Sequence, residues 1–160
     1  MVTLFYTKIH SEFFIFLGVA LHYTIHHIKK YEQKTKDKFK PKEGFKLFYL
    51  PSRGFCEIST TKDNSMLMIY QMAGDGKFWR DFATVFAQML GIKKLGTICI
   101  RKNIKAYIRF WGYKITKKEP LHDGSFIYYA ENKEGKKARV SPVHMHDDIT
   151  RISYYVTWDI

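Results

Sequence analysis

A chain of 160 residues is long enough to build one domain around a well-covered core. Its apolar and aromatic fractions, 46% and 17%, exclude wholesale disorder, and its two cysteines, Cys56 and Cys99, exclude a disulfide framework. The formal net charge of +12 fits a polyanionic partner such as nucleic acid, an acidic protein or a phosphate-rich ligand, or else serves solubility alone.

Val2–Ile9 reads as a short strand. Ser11 then caps a helix whose apolar face is Phe14, Leu17, Leu21, Ile25 and Ile28, at steps of three and four. The apolar run Phe13–Leu21 is too short to span a bilayer, so no membrane is expected, and the helix fades near Tyr31–Gln33. Residues 29–46 carry eight lysines, interrupted by Pro41 and Gly44. That stretch is either a charged connector or a basic lip beside a polyanion site.

Lys46–Leu50 and Gly54–Thr60 are strand candidates around the turn Pro51-Ser52-Arg53, and Met66–Met72 is a third that leads into Ala73-Gly74-Asp75-Gly76. From Lys77 to Leu90 the period becomes helical, with Phe78, Phe82, Val85, Phe86 and Met89 along one face and Gly91 as the stop. Leu95–Ile100 reads as a buried strand, Asn103 to about Trp111 as a short helix, and Gly112–Thr116 as the start of another strand. Ser125–Ala130 and Ala138–Ser141 flank the turn Asn132-Lys133-Glu134-Gly135, and Ile152–Asp159 is the last strand. Both cysteines fall in apolar strands and read as buried, inert thiols in a reducing cytoplasm.

Four groups could carry chemistry. Gly74, Gly76 and Lys77 place glycines and a cation at a helix N-terminus, where unpaired N–H groups and the dipole favour a phosphate; a plain tight turn explains the same residues. Glu57, on the preceding strand, is a candidate general base or an outward-facing strand carboxylate. His144 and His146 with Asp147 and Asp148 offer two alternating ligands and no third, so a polar loop is preferred and no metal is expected. The aromatic groups Phe110-Trp111, Tyr113, Tyr128-Tyr129 and Tyr154-Tyr155 stack on bases wherever they are exposed, although alternation buries about half of them.

The order of elements over residues 66–113 gives these pieces context. Gln71-Met72-Ala73-Gly74-Asp75-Gly76 reads as Q-x-x-G-x-G and resembles the pyrophosphate-binding motif of GNAT-type N-acyltransferases. Leu95–Ile100 resembles that family's fifth strand, and Asn103, Ala106, Tyr107 and Gly112-Tyr113 resemble its N-x-x-A…Y…G-F signature. The resemblance implies a single α/β (α+β) domain over 1–160, with a mixed, mostly antiparallel central sheet flanked by helices and an extra C-terminal hairpin. It also implies acetyl-coenzyme A or another acyl-coenzyme A as cofactor. Pantetheine would lie along Met68, Ile69 and Tyr70, the phosphates would meet Gln71, Gly74, Asp75, Gly76, Lys77 and Asn103, and Tyr107 would be the acid.

The function so implied is acyl transfer to an amine of a nucleic acid, a tRNA-linked amine or a protein bound to nucleic acid, in a bacterial or phage-infected cytoplasm. Two other readings stand beside it. One is a catalytically degenerate binding or structural protein on the same fold, as in some phage virions, and the other is a cofactor-free nucleic-acid-binding module.

Overall fold

The computed structural model describes residues 25–99, 103–144 and 152–160. The expected strand over 2–9, the helix start with its run over 13–21, and His146 to Asp148 lie outside them. The described part of the first helix, α1, covers 25–35. It is followed by β1 (Lys46–Leu50), β2 (Gly54–Thr60), β3 (Leu67–Gly74), α2 (Gly76–Met89), β4 (Lys94–Cys99) and α3 (Ile104–Phe110). Four strands complete the chain, β5 (Lys114–Pro120), β6 (Phe126–Glu131), β7 (Lys137–His144) and β8 (Ile152–Asp159).

The fold is mixed α/β, with a mostly antiparallel eight-stranded sheet of order β1-β2-β3-β4-β8-β7-β6-β5. Several ends differ from the sequence expectation. β3 runs on through Ala73 and Gly74, β5 extends to Pro120, and β7 continues past Ser141 to His144, which takes His144 out of the expected loop and onto a strand. The chain divides into two compact units, Met1–Ser59 with Ile69–Ala83, and Thr60–Met68 with Thr84–Ile160.

In the first unit β2 is covered on both faces, so Gly54 through Ile58 are all buried. Its pairing with β1 sets Tyr49 opposite Phe55 and Phe48 opposite Cys56, and opposed residues share a face. Tyr31 of α1 and Phe39 close over Phe55, with ring centroids 5.8 and 4.9 Å away. On the other face Phe48 meets Phe82 of α2 at 5.0 Å. The helix α1 continues to residue 35, beyond its expected end, and closes with Lys36 in the left-handed region at φ 62°.

The buried stripe of α2 is Trp79, Ala83 and Ala87, one step of four after another. The expected apolar face is therefore rotated, for Val85 and Met89 are exposed. Trp79 anchors the helix by donating Nε1–H to the Arg53 carbonyl at 2.9 Å.

In the second unit β8 lies between β4 and β7. Leu95, Trp158 and Ala138 stand opposite one another across three strands, and Ala138 faces Ala130 of β6. The alanines leave room for Trp158 beneath Trp111, whose ring centroid is 4.7 Å away. Helix α3 buries Ile104 and Ile108, and the Tyr113 hydroxyl donates to the Asp159 carbonyl at 3.4 Å.

Candidate functional site

The glycine turn has a structural cause. Gly54 and Gly74 both hold positive φ, 92° and 94°, and their backbones lie against each other. A Cβ on Gly54 would land on the Ala73 carbonyl, and one on Gly74 would land on the Arg53 carbonyl. The close approach that calls for Gly74 is thus to another strand of its own unit.

Past this contact, backbone groups at the start of α2 are bonded within the chain. The Asp75 N–H donates to the Arg53 carbonyl at 2.9 Å. The Asp75 side chain caps the helix, its Oδ1 accepting the Phe78 N–H at 3.0 Å. Arg53 Nη1 lies 2.6 Å from Asp75 Oδ2. The Phe78 N–H bond, and after it Arg53, hold the Asp75 carboxyl below the usual carboxylate range. An anion therefore already sits at this helix N-terminus, and it belongs to the protein.

The other residues expected near a phosphate are placed as follows. Lys77 turns along the helix to Asp81, Nζ to Oδ2 at 3.0 Å. A Cβ on Gly76 would come no nearer than 3.8 Å to Met72 Cε. Gln71 is buried and donates Nε2–H to the Lys40 carbonyl at 2.9 Å. Asn103 caps α3, its side chain accepting the Ala106 N–H at 3.0 Å, which is what the N-x-x-A spacing encodes locally. A pyrophosphate meets few open donors here, and the loop as it stands does not fit that group.

Met68, Ile69 and Tyr70 lie on β3, which is an interior strand in the sheet order. The Met68 and Met66 thioethers accept from the Tyr155 hydroxyl at 3.5 and 3.6 Å, and Ile69 is buried. Tyr70 carries the Lys42 ammonium 4.1 Å above its ring, with Phe45 at 5.2 Å.

Glu57 is not outward-facing; it is 1% exposed. Its Oε1 accepts the Lys42 N–H at 3.3 Å, while Oε2 is buried without a hydrogen-bond partner. Burial pushes its carboxyl above the usual range, and the Lys42 N–H bond and charge oppose that shift. Gln71 Oε1 is likewise buried and unpartnered. Both side chains reach the backbone of Lys40–Lys42, so two acceptors lacking donors sit under one short segment. Tyr31 belongs to the same surroundings, its hydroxyl pushed up to about 12 by burial and then by Asp37.

Tyr107 lies on α3 in the second unit, partly exposed, with its ring 4.4 Å from that of Trp111. The structure therefore gathers Glu57, Tyr70, Gln71 and the residues from Gly74 to Lys77 in the first unit, and holds Asn103 and Tyr107 in the second.

Both cysteines are buried and neither forms a disulfide, and burial pushes the Cys56 thiol up. His27 Nε2 lies 3.1 Å from the Pro51 carbonyl. Among the described residues no group of three or more His, Cys, Asp or Glu is placed to hold a metal ion, and no helix is long and apolar enough to cross a membrane.

Arg53 is the site residue that sequence reasoning overlooked. Its signal was slight, a basic residue before a glycine in the turn Pro51-Ser52-Arg53. No protein-family model matches the chain, and no curated protein matches it.

Proposed function

We propose that this protein is a non-catalytic, polyanion-binding protein on an acyltransferase-like scaffold, with nucleic acid as its partner. The observation that carries this reading is the Asp75 carboxylate at the N-terminus of α2, clamped by Arg53 and bonded to the loop's own backbone. A helix terminus that already holds an anion has lost most of its attraction for a second one. The net charge of +12 then calls for a partner at the protein surface. The test is a thermal-shift comparison on the full chain. A single-stranded oligonucleotide raises Tm at low salt, and acetyl-coenzyme A leaves it unchanged. A shift with acetyl-coenzyme A alone removes the proposal.

Glu57 favours a second reading, in which the chain acts as an acyl-coenzyme-A-dependent N-acyltransferase. A buried carboxylate with a raised pKa and a free oxygen is suited to accept a proton from an attacking amine. On that reading radiolabelled acetyl from acetyl-coenzyme A appears on an amine acceptor, and Glu57→Gln abolishes the transfer.

A further inference from the structure

The second unit carries a cross-strand row that the functional reading has not used. Lys117 of β5 pairs with Tyr129 of β6, Tyr129 with Arg139 of β7, Arg139 with Thr157 of β8, and Thr157 with Gly96 of β4. All four pairings are antiparallel, so these residues share one face of the sheet, with strands about 4.8 Å apart. Lys117 and Arg139 are exposed, and Tyr129 and Thr157 are partly exposed. The β-bulge between Ile115 and Lys117 brings Lys114 onto this face opposite Glu131, which in turn stands opposite Lys137.

Charge on this face is uneven in a useful way. Glu119 Oε2 is held by Lys117 Nζ at 3.5 Å and by the Tyr129 hydroxyl at 3.1 Å, so an ammonium and a phenol already converge on one anionic oxygen. Arg139, on the other side of Tyr129, makes no ion pair among the described residues. Lys117 lies 5.4 Å from the centre of the Tyr129 ring, an exposed cation–π contact worth little and easily exchanged.

We propose that this face binds a single-stranded nucleic acid, with a base on Tyr129 and phosphates on Lys117 and Arg139. The proposal rests on the polyanion-binding reading and names its surface. An aromatic ring flanked by cations on a sheet suits an unpaired base, whose π-face is open, whereas a duplex keeps its bases stacked inside. When a base takes the place of the Lys117 stem, the ammonium moves onto the neighbouring phosphate, as it now sits on Glu119.

The experiment is fluorescence anisotropy on the full chain with a labelled oligothymidylate, an oligouridylate and a hairpin duplex at low salt. Three variants are compared with the unmodified protein: Tyr129→Ala, the double change Lys117→Glu with Arg139→Glu, and a control with Lys34, Lys36 and Lys38 each changed to Glu. Tyr129→Ala is expected to weaken single-strand binding about tenfold, the double variant more than that, and the lysine control less than either. Tyr129→Trp keeps the affinity, which separates loss of stacking from loss of folding, and the double variant alters only exposed side chains. Full binding by the double variant together with loss in the control moves the site to residues 29–46 and overturns the inference, while the polyanion reading stands. Duplex bound as tightly as single strand also overturns it. No binding of any of the three probes removes both.

Discussion

Arg53 and Asp75 form an ion pair with Nη1 and Oδ2 2.6 Å apart, and the same Asp75 caps α2 through the Phe78 N–H. The carboxylate thus joins the end of the β1–β2 turn to the start of a helix 22 positions later. Its folded pKa is lowered, so its contribution is present above the unfolded carboxylate pKa and lost as pH falls through the folded value. Asp75→Ala is expected to lower Tm at neutral pH, with the difference from the unmodified protein shrinking as pH falls below the ordinary carboxylate pKa of about 4. Thermal melts across that range check it, and a pH-independent difference would contradict it. The same variant uncovers the helix N-terminus, so sulfate is expected to stabilise Asp75→Ala more than the unmodified protein.

Gly54 and Gly74 are expected to be the least replaceable glycines described. Alanine at either position meets a backbone carbonyl that cannot move aside, and it also adopts a positive φ. Each substitution should cost on the order of 3 kcal/mol, read from urea unfolding. Gly96→Ala is the matched contrast. Its Cβ would meet the Met68 and Met66 sulfurs at 2.7 and 2.8 Å, and both are the ends of flexible side chains. It should cost less than half as much, and equal costs would contradict this account of the turn.

That glycine pair also marks what a sequence can and cannot disclose. The strands and helices were legible from apolar alternation and from turn residues such as Pro51 and Gly91, because those signals are local. Gly74 was legible as a special position, but its partner Gly54 depends on strand register, which no local pattern fixes. The buried face of α2 escapes a hydrophobic pattern because alanine weighs little in it, yet Ala83 and Ala87 are fully buried. Glu57 looked like a solvated strand residue because its cover, the backbone of Lys40–Lys42, comes from a lysine-rich segment that reads as solvent-exposed. Asp75 was seen as part of a phosphate loop, although its cap role follows from its place one residue before the helix.

Glu57→Gln tests the buried acceptor pair. The folded pKa of Glu57 is raised, so the ionised form penalises the fold as pH rises from the unfolded carboxylate pKa toward the folded value. The amide carries no charge and brings a donor to a place where two acceptor oxygens lack one, and leaving a buried acceptor unpaired costs about 1–3 kcal/mol. The variant should therefore be more stable than the unmodified protein at neutral pH, with a smaller gain in acid. Destabilisation that grows as pH rises would show that the carboxylate is needed as an anion.

Trp79→Phe separates packing from hydrogen bonding at the anchor of α2. It keeps an aromatic ring but removes the Nε1–H bond to the Arg53 carbonyl, which also receives the Asp75 N–H. The expected loss is about 1–2 kcal/mol by chemical unfolding, from a smaller ring and one missing bond. A neutral outcome would place the anchor elsewhere.

The central claim is that a basic surface, and not the glycine turn, meets the partner. Its most direct measurement is the affinity of the full chain for a single-stranded oligonucleotide over a series of salt concentrations. The expected result is a logarithm of the association constant that falls linearly with the logarithm of salt, with a slope of about −2 or steeper. An affinity indifferent to salt, or no binding at the lowest salt, would contradict it.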